Sequence, residues 1–252
     1  MKRKVLVIGI GAGNPDYVTV QAIDAMNRAS VFFIPDKGTG KEDLARLRTE
    51  ICDRFIRSDS YRTVSFDMPV RDRSSKDYRA GVDDWHDAIA AVYGRLFLEE
   101  LTEDDCGAIL VWGDPALYDS TLRILQRLQD SGRFALEYEV IPGISAVQAL
   151  AARHRVTLNA IGEAIAITTG RKLAEGFPST ADSVVVMLDG ENAYASVEDD
   201  VDIWWGAYLG TDDEILVSGK LHEVAGDIER IRRQARAEKG WIMDTYLMKR
   251  RP

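Results

Sequence analysis

Three glycine-containing turns in this sequence carry the residue types that bind small ligands. They are Gly9-Ile10-Gly11-Ala12-Gly13-Asn14-Pro15-Asp16, Gly113-Asp114-Pro115-Ala116-Leu117-Tyr118 and Pro142-Gly143-Ile144-Ser145-Ala146. Glycine lets a backbone approach a ligand closely, and a turn of this kind leaves amide groups free to bind it. One such turn is common in α/β proteins, but three in this order are a much stronger sign of a ligand site.

Two of these turns begin where a predicted strand ends. Apolar runs at 5–9, 31–34 and 108–112 predict buried strands, and apolar residues at helical spacing over 18–29 predict a helix between the first two. Further helices are predicted at 44–55, 82–100 and 120–129. Near-continuous apolar strands are typical of a parallel sheet covered on both faces. Both turns would then lie at the carboxyl ends of strands, the edge where open α/β sheets bind ligands.

The second half of the chain has a different pattern. Strand-like runs joined by Gly and Asp lie at 165–168, 183–188, 203–209, 215–221 and 241–248. The one long helical pattern there covers 224–239, so we expect an α+β domain with a mixed or antiparallel sheet. The sequence therefore predicts an α/β protein of two domains, a mostly parallel one over 1–138 and an α+β one over 139–252.

Composition narrows the classes of partner. The net charge of −9 over 252 residues argues against nucleic acid and anionic membrane surfaces, but it leaves an anionic small molecule open. No apolar run is long enough to span a bilayer. Cys52 and Cys106 have neither metal-ligand nor redox spacing, which is typical of isolated thiols in a reducing cytosol. We expect a cytoplasmic protein with no metal, nucleic acid or membrane partner.

A dinucleotide-binding turn is one interpretation of Gly9 and Gly11. Asp36, at the end of the next strand, stands where an acid that binds ribose would be expected. However, Asn14 occupies the position of the third glycine and Pro15 follows it, so the tight helix-to-strand packing of that motif is not encoded. The sequence thus disfavours a nicotinamide cofactor.

Together the three turns resemble the pattern of the tetrapyrrole methyltransferase family, the class III S-adenosylmethionine-dependent methyltransferases. The pattern consists of G-x-G-x-G-x-P-D followed by a Thr, G-D-P-x-x-[YF], P-G-[IV]-[ST]-[SA] and a late G-T turn. Thr19 and Gly210-Thr211 complete it here, so the resemblance spans the whole chain. It implies S-adenosylmethionine as methyl donor, bound in a cleft between the domains, S-adenosylhomocysteine as product, a precorrin substrate and a homodimer.

Four stretches, 32–38, 68–73, 82–86 and 186–190, resemble one branch of that family. This branch methylates C-1 of precorrin-5 and releases acetate in cobalamin biosynthesis. A methyltransferase for another precorrin or for a cobalt-precorrin is the alternative within the family. From a different class, the alternatives are a nucleotide-binding oxidoreductase and a cofactor-binding regulator.

The resemblance also implies the cofactor-binding residues. They are Pro15, Trp112, Gly113, Asp114, Leu117, Ser145, Ala146, Met187, Leu188 and Gly210. Such a set supplies small and apolar surface for adenine, and Asp114 and Ser145 supply polarity. Trp112 and Leu188 depart from the family pattern, which has Gly and Met there. The alternative role of Asp114 is that of a turn residue that bonds its own backbone.

The two halves of the implied reaction place different demands on the protein. Methyl transfer chiefly needs positioning, whereas acetate release needs a base or an oxyanion stabiliser. The catalytic candidates are Asp16, Asp36, His86 and Tyr118. The alternative for His86 is a surface or satisfied core histidine, and the alternative for Tyr118 is a core side chain. Candidates to bind the substrate's carboxylates are Lys37, Arg71, Arg73 and Arg79. The alternative for these cations is a solvated loop.

Overall fold

The computed structural model describes residues 2–36, 42–71 and 78–251, with side chains described except at 36, 42–45, 78 and 79. Its contacts divide the chain into two units. The first comprises Met1–Gly11 and Pro15–Ser145, and the second comprises Ala12–Asn14 and Ala146–Pro252. The tip of the first glycine turn therefore belongs to the second unit.

A parallel sheet forms the centre of the first unit. Its strands are β1 (Lys2–Gly9), β2 (Val31–Asp36), β3 (Arg62–Asp67), β4 (Cys106–Val111) and β5 (Ala135–Ile141). They lie in the order β3-β2-β4-β1-β5, and every neighbouring pair is parallel. The predicted parallel α/β sheet is confirmed. The predicted domain boundary at 138/139 falls inside β5, which pairs with β1 from Ala135 to Ile141.

In the described part of this unit, four helices cover the two faces of the sheet. They are α1 (Val20–Met26), α2 (Glu42–Phe55), α3 (Tyr78–Glu100) and α4 (Thr121–Asp130). Alternate residues of β1 enter opposite cores: Val5 and Val7 pack with side chains of α3 and α4, while Leu6 and Ile8 pack with those of α1 and α2. Because both faces are buried, the strand has to be apolar at every one of these positions.

The second unit is built on a mixed sheet. Its strands are β6 (Ile165–Thr169), β7 (Ser183–Met187), β8 (Val201–Ala207), β9 (Ile215–Lys220) and β10 (Asp244–Arg250), and its helices are α5 (Ala146–His154), α6 (Gly170–Leu173) and α7 (Leu221–Lys239). The order is β6-β7-β10-β8-β9, with β6 parallel to β7 and the other pairs antiparallel. The predicted mixed or antiparallel sheet is confirmed.

A buried ion pair ties α7 to this sheet. Arg232 Nε lies 2.8 Å from Asp244 Oδ2, and the two side chains are only 6% and 4% exposed. Trp205 Nε1 donates a hydrogen bond to the same carboxylate oxygen at 2.7 Å. Burial raises the pKa of Asp244, and Arg232 opposes that rise. The guanidinium therefore compensates a carboxylate that the sheet removes from water.

Replacing Arg232 with Met should lower the free energy of unfolding by about 3–5 kcal/mol, because Asp244 would stay buried without a cationic partner. Urea unfolding followed by circular dichroism measures the loss. Arg230→Met is the matched control, since the pair that Arg230 forms with Asp227 is exposed and should contribute less than about 1 kcal/mol. Equal stability of the two variants would contradict a stabilising role for the buried pair.

Candidate active site

The loops that follow β1, β4 and β5 lie in direct backbone contact. Gly113 N donates to Gly11 O at 2.8 Å, and Gly11 N donates to Gly113 O at 3.3 Å. A Cβ on Gly9 would lie 2.6 Å from Gly143 N, and a Cβ on Gly143 would lie 2.1 Å from Gly113 O. Loop packing alone therefore requires glycine at both positions, whatever ligand binds beside them.

The tip of the first turn contacts the late Gly-Thr turn within the second unit. Gly13 has φ +129°, and a Cβ there would lie 2.3 Å from Leu209 O and 3.0 Å from Thr211 Cγ2. Only glycine adopts that backbone conformation easily, and only glycine fits the contact. Two motifs that are nearly two hundred residues apart in the chain are therefore neighbours.

Asp114 joins two of the loops through its side chain. Its Oδ1 accepts a bond from Ala116 N at 2.8 Å, and its Oδ2 accepts one from Gly143 N at 2.9 Å. The bond from Ala116 confirms the alternative role of Asp114 as a turn residue that bonds its own loop. The bond from Gly143 links the Gly-Asp-Pro loop to the Pro-Gly loop, which the sequence did not reveal. A direct contact of Asp114 with the cofactor stays a prediction.

The ten predicted cofactor residues are distributed over both units. Pro15, Trp112, Gly113, Asp114, Leu117 and Ser145 belong to the first, and Ala146, Met187, Leu188 and Gly210 belong to the second. Leu188 stands out because its side chain is 66% exposed and its φ is +54°, in the left-handed region that a branched side chain rarely adopts. Exposed apolar surface on such a backbone is typical of a functional position. The cofactor roles of these residues remain predictions.

A cavity of about 950 Å³ lies in the first unit at the carboxyl ends of β2, β3 and β4. Three residues predicted for different roles line it together: Trp112, Tyr118 and Arg71. Tyr118 has φ +54° and is 41% exposed. Burial of part of its ring raises the pKa of its hydroxyl. The position of this cavity matches the sheet edge at which the sequence predicted a ligand site.

Arg48 of α2 also lines the cavity, and sequence reasoning missed it. Its side chain is only 4% exposed, and Nε donates to Leu110 O at 3.2 Å. Burial lowers the pKa of the guanidinium, while Tyr93 and Asp119 raise it. A signal was available, because Arg48 lies one helical turn before the buried Ile51 and Cys52 and so faces the core.

His86 of α3 is buried beside the cavity wall. Its Nε2 lies 2.9 Å from the hydroxyl oxygen of Ser120, which lines the cavity. Burial lowers the pKa of the imidazole, and Arg127 and Arg123 lower it further. The ring is therefore neutral at neutral pH, as a proton acceptor must be. Sequence reasoning found His86 but not Ser120.

The remaining predicted residues lie elsewhere or outside the described part of the chain. Asp16 forms an exposed ion pair with Arg54, with 2.5 Å between Oδ1 and Nη2. The backbone of Asp36 ends β2 and that of Arg79 lies in α3, but their side chains are outside the described set. Lys37 and Arg73 lie outside the described residues altogether.

Asp114→Ala should lower the free energy of unfolding by about 1–3 kcal/mol, because the Gly143 and Ala116 amides lose their acceptor. Thermal unfolding measures the effect. Asp104→Ala, at an exposed position of the loop before β4, is the matched control and should leave stability unchanged. If both variants unfold at the wild-type temperature, the link between the two loops contributes nothing to stability.

The comparisons with known proteins agree on one family. The sequence matches Tetrapyrrole (Corrin/Porphyrin) Methylases over residues 4–225. A precorrin-6A synthase (deacetylating) of Sinorhizobium sp is 53% identical over 249 residues, which are 98% of this chain and 95% of that protein. The crystal structure of a cobalamin synthesis related protein, CobF, from Corynebacterium diphtheriae is 38% identical, has a TM-score of 0.84 and matches over 99% of both chains.

A more distant relative supports the fold but not the activity. It is a uroporphyrin-III C-methyl transferase from Thermus thermophilus complexed with S-adenyl homocysteine, with 16% identity, a TM-score of 0.56, and coverage of 98% of this chain and 97% of that one. None of the described helices has the length and apolar character of a membrane span.

The family match spans most of the sequence, so the resemblance seen in the three glycine turns is confirmed. The chain is an enzyme that belongs to the tetrapyrrole methylase family.

Proposed function

We propose that this enzyme methylates C-1 of precorrin-5 and releases acetate, which gives precorrin-6A in cobalamin biosynthesis. The observation that carries the proposal is the 53% identity to a precorrin-6A synthase (deacetylating) over 98% of this chain. The 38% identical CobF structure, which aligns over 99% of both chains, supports the same pathway. The proposed substrate, precorrin-5, differs from the substrates of family members that act on other precorrins.

S-adenosylmethionine is the methyl donor in this proposal, and S-adenosylhomocysteine is the product. The S-adenyl homocysteine complex of the Thermus relative supports this choice. The residues of this chain fit such a molecule: exposed Leu188 offers apolar surface for adenine, and Gly113, at φ +70°, leaves its backbone uncovered by a Cβ. The donor supplies a methyl group on a sulfonium. The protein's task is then to orient the accepting carbon and exclude water.

The cavity in the first unit is our candidate for the precorrin site. A precorrin carries many carboxylates, and both Arg48 and Arg71 line this cavity. Met68 and Trp85 add apolar wall for the macrocycle. These features give a net acidic protein a local site for an anionic substrate.

Acetate release requires a group that handles protons. Of the four predicted candidates, Tyr118 lines the cavity and His86 bonds a residue that lines it. Asp16 is engaged with Arg54, and Asp36 ends β2 near the same sheet edge. His86 and Tyr118 are therefore the stronger candidates for this half of the reaction.

The proposal also includes a cytoplasmic homodimer. Both cysteines, Cys52 and Cys106, are free thiols, which fits a reducing compartment. Size-exclusion chromatography with light scattering measures the mass in solution, and a monomer at micromolar concentration would contradict the dimer.

Incubation with precorrin-5 and S-adenosylmethionine tests the activity. Equal amounts of S-adenosylhomocysteine and acetate should form, together with a macrocycle that has gained a methyl group and lost an acetyl group. Precorrin-2 and a cobalt-precorrin serve as control substrates, and turnover of either in preference to precorrin-5 would contradict the proposed substrate. Calorimetry should show micromolar binding of S-adenosylhomocysteine and none of NAD, which a nucleotide-binding oxidoreductase would bind.

Arg71→Ala should raise the KM for precorrin-5 about tenfold, which corresponds to about 1.4 kcal/mol, because a charge-assisted bond to a carboxylate is lost. The affinity for S-adenosylhomocysteine should stay unchanged, since bonds of this kind hold the substrate in place. Arg57→Ala, an exposed arginine outside the cavity wall, is the control. Equal KM values for both variants would contradict a substrate-binding role for Arg71 and favour the alternative of a solvated loop.

A further inference from the structure

Ser120 and His86 form a hydrogen-bonded pair where α3 and α4 pack together. The distance from His86 Nε2 to Ser120 Oγ is 2.9 Å, within the range at which a base activates a hydroxyl. Ser120 lines the cavity, and so does Trp85, whose ring lies 5.5 Å from the imidazole at an angle of 34°. Trp85 is itself held by a 2.7 Å bond from Nε1 to Pro69 O. The imidazole is thus positioned from two sides.

The hydroxyl of Ser120 is not used by the helix that it precedes. Serine at an N-cap normally accepts a bond from the first turn. Within the described residues, Ser120 makes no such side-chain bond to α4. Asp119 performs that task instead, because its Oδ1 accepts a bond from Thr121 N at 2.7 Å. Helix capping therefore does not explain the placement of Ser120 against His86.

The charges around His86 favour the neutral imidazole. Burial and the cations Arg127 and Arg123 of α4 lower its pKa below the ordinary 6.5, against the opposite effect of Asp83 and Asp87 of α3. Arg127 bonds both of these carboxylates at 2.5 Å. Because Arg127 pairs with both carboxylates, they stabilise a protonated imidazole less. His86 is therefore uncharged and able to take a proton.

We propose that Ser120 is the nucleophile that removes the acetyl group and that His86 is its base. This inference rests on the proposed function. Ser120 Oγ attacks the acetyl carbonyl carbon while His86 Nε2 takes the hydroxyl proton. The bond between that carbon and the ring carbon then breaks, and its electron pair stays on the macrocycle. The acetyl group is left as an ester on Ser120, and the electron pair is the nucleophile that methyl transfer needs.

Hydrolysis of the ester completes the cycle. His86 first loses its proton to solvent, and water then attacks the ester carbonyl while His86 takes a proton from it. The imidazolium returns that proton to Ser120 Oγ as the C–O bond breaks, and acetate leaves with one further proton released to solvent. One water is consumed for each acetate, and no oxidant or reductant is required.

Trapping of the acetyl ester tests this route in the wild-type enzyme. With precorrin-5, S-adenosylmethionine and hydroxylamine, part of the acetyl group should appear as acetohydroxamate. Rapid acid quench followed by peptide mass spectrometry should find one acetyl group on the peptide that contains Ser120. In Ser120→Ala and His86→Gln, acetate formation should fall by roughly 10² to 10⁴. Ser131→Ala, at the opposite end of α4, should keep the wild-type rate.

The pH dependence of acetate formation distinguishes a catalytic role of His86 from a purely structural one. Acetate formation by the wild type should fall as the pH drops through the pKa of His86, below 6.5, because the protonated imidazole cannot act as base. This acidic limb should be absent from the residual activity of His86→Gln. Calorimetric binding of S-adenosylhomocysteine by each variant confirms that it is folded.

Several outcomes would overturn the inference. Wild-type rates in Ser120→Ala would do so, and so would acetate without any acetohydroxamate or acetyl-peptide in the wild type, because water would then be the nucleophile. A wild-type enzyme that forms neither acetate nor S-adenosylhomocysteine from precorrin-5 would instead contradict the proposed function. The wild-type trap decides the question even if a variant does not fold.

Discussion

Backbone crowding among Gly9, Gly113 and Gly143 is the constraint on which the candidate site depends. Atoms of these loops lie so close that a Cβ at position 143 would be 2.1 Å from a carbonyl oxygen. Such tight packing restricts the conformations of these loops. The Asp114 carboxylate adds a further restraint, because it accepts a hydrogen bond from the Gly143 amide. The sheet dictates where this happens, since β1, β4 and β5 are adjacent parallel strands whose carboxyl ends meet at one edge. Glycine is thus needed for the architecture of the site before any ligand binds.

Much of the fold could be predicted because burial on both faces of a parallel sheet leaves a simple pattern. Residues 5–8 of β1, 31–34 of β2 and 108–111 of β4 are apolar, so these strands and the helices between them follow from periodicity. β3 could not be found in this way. It is an edge strand with one buried residue, Phe66, so its sequence resembles a solvated loop. The domain boundary could not be placed correctly from the sequence either. β5 is half exposed, so its sequence does not show that it pairs with β1 over its whole length.

The site was predictable only where residue type and motif coincide. The glycine turns carry their own pattern, and His86 attracted attention as one of three histidines. Ser120 could not be recognised, because a serine at a helix start normally caps the helix. Arg48 was missed although its helical spacing to Ile51 and Cys52 gave a signal, because an arginine on a helix is normally solvated. Their importance comes from neighbours far away in the chain: His86 is 34 residues from Ser120, and Leu110 is 62 residues from Arg48. Tertiary packing, which the sequence pattern does not encode locally, creates both environments.

Burial acts on Arg48 and His86 in the same direction but with opposite chemical results. It lowers the pKa of both groups, because a poorly solvated wall disfavours any cation. An arginine guanidinium stays protonated in proteins, whereas an imidazole whose pKa is lowered from 6.5 is neutral at neutral pH. The cavity wall therefore offers a permanent cation, Arg48, that can attract a carboxylate or an oxyanion, and His86 beside the wall is a base that can accept a proton. Acyl cleavage on an anionic substrate uses both kinds of group at once: the cation holds the substrate or its oxyanion, and the base takes the proton of the attacking hydroxyl.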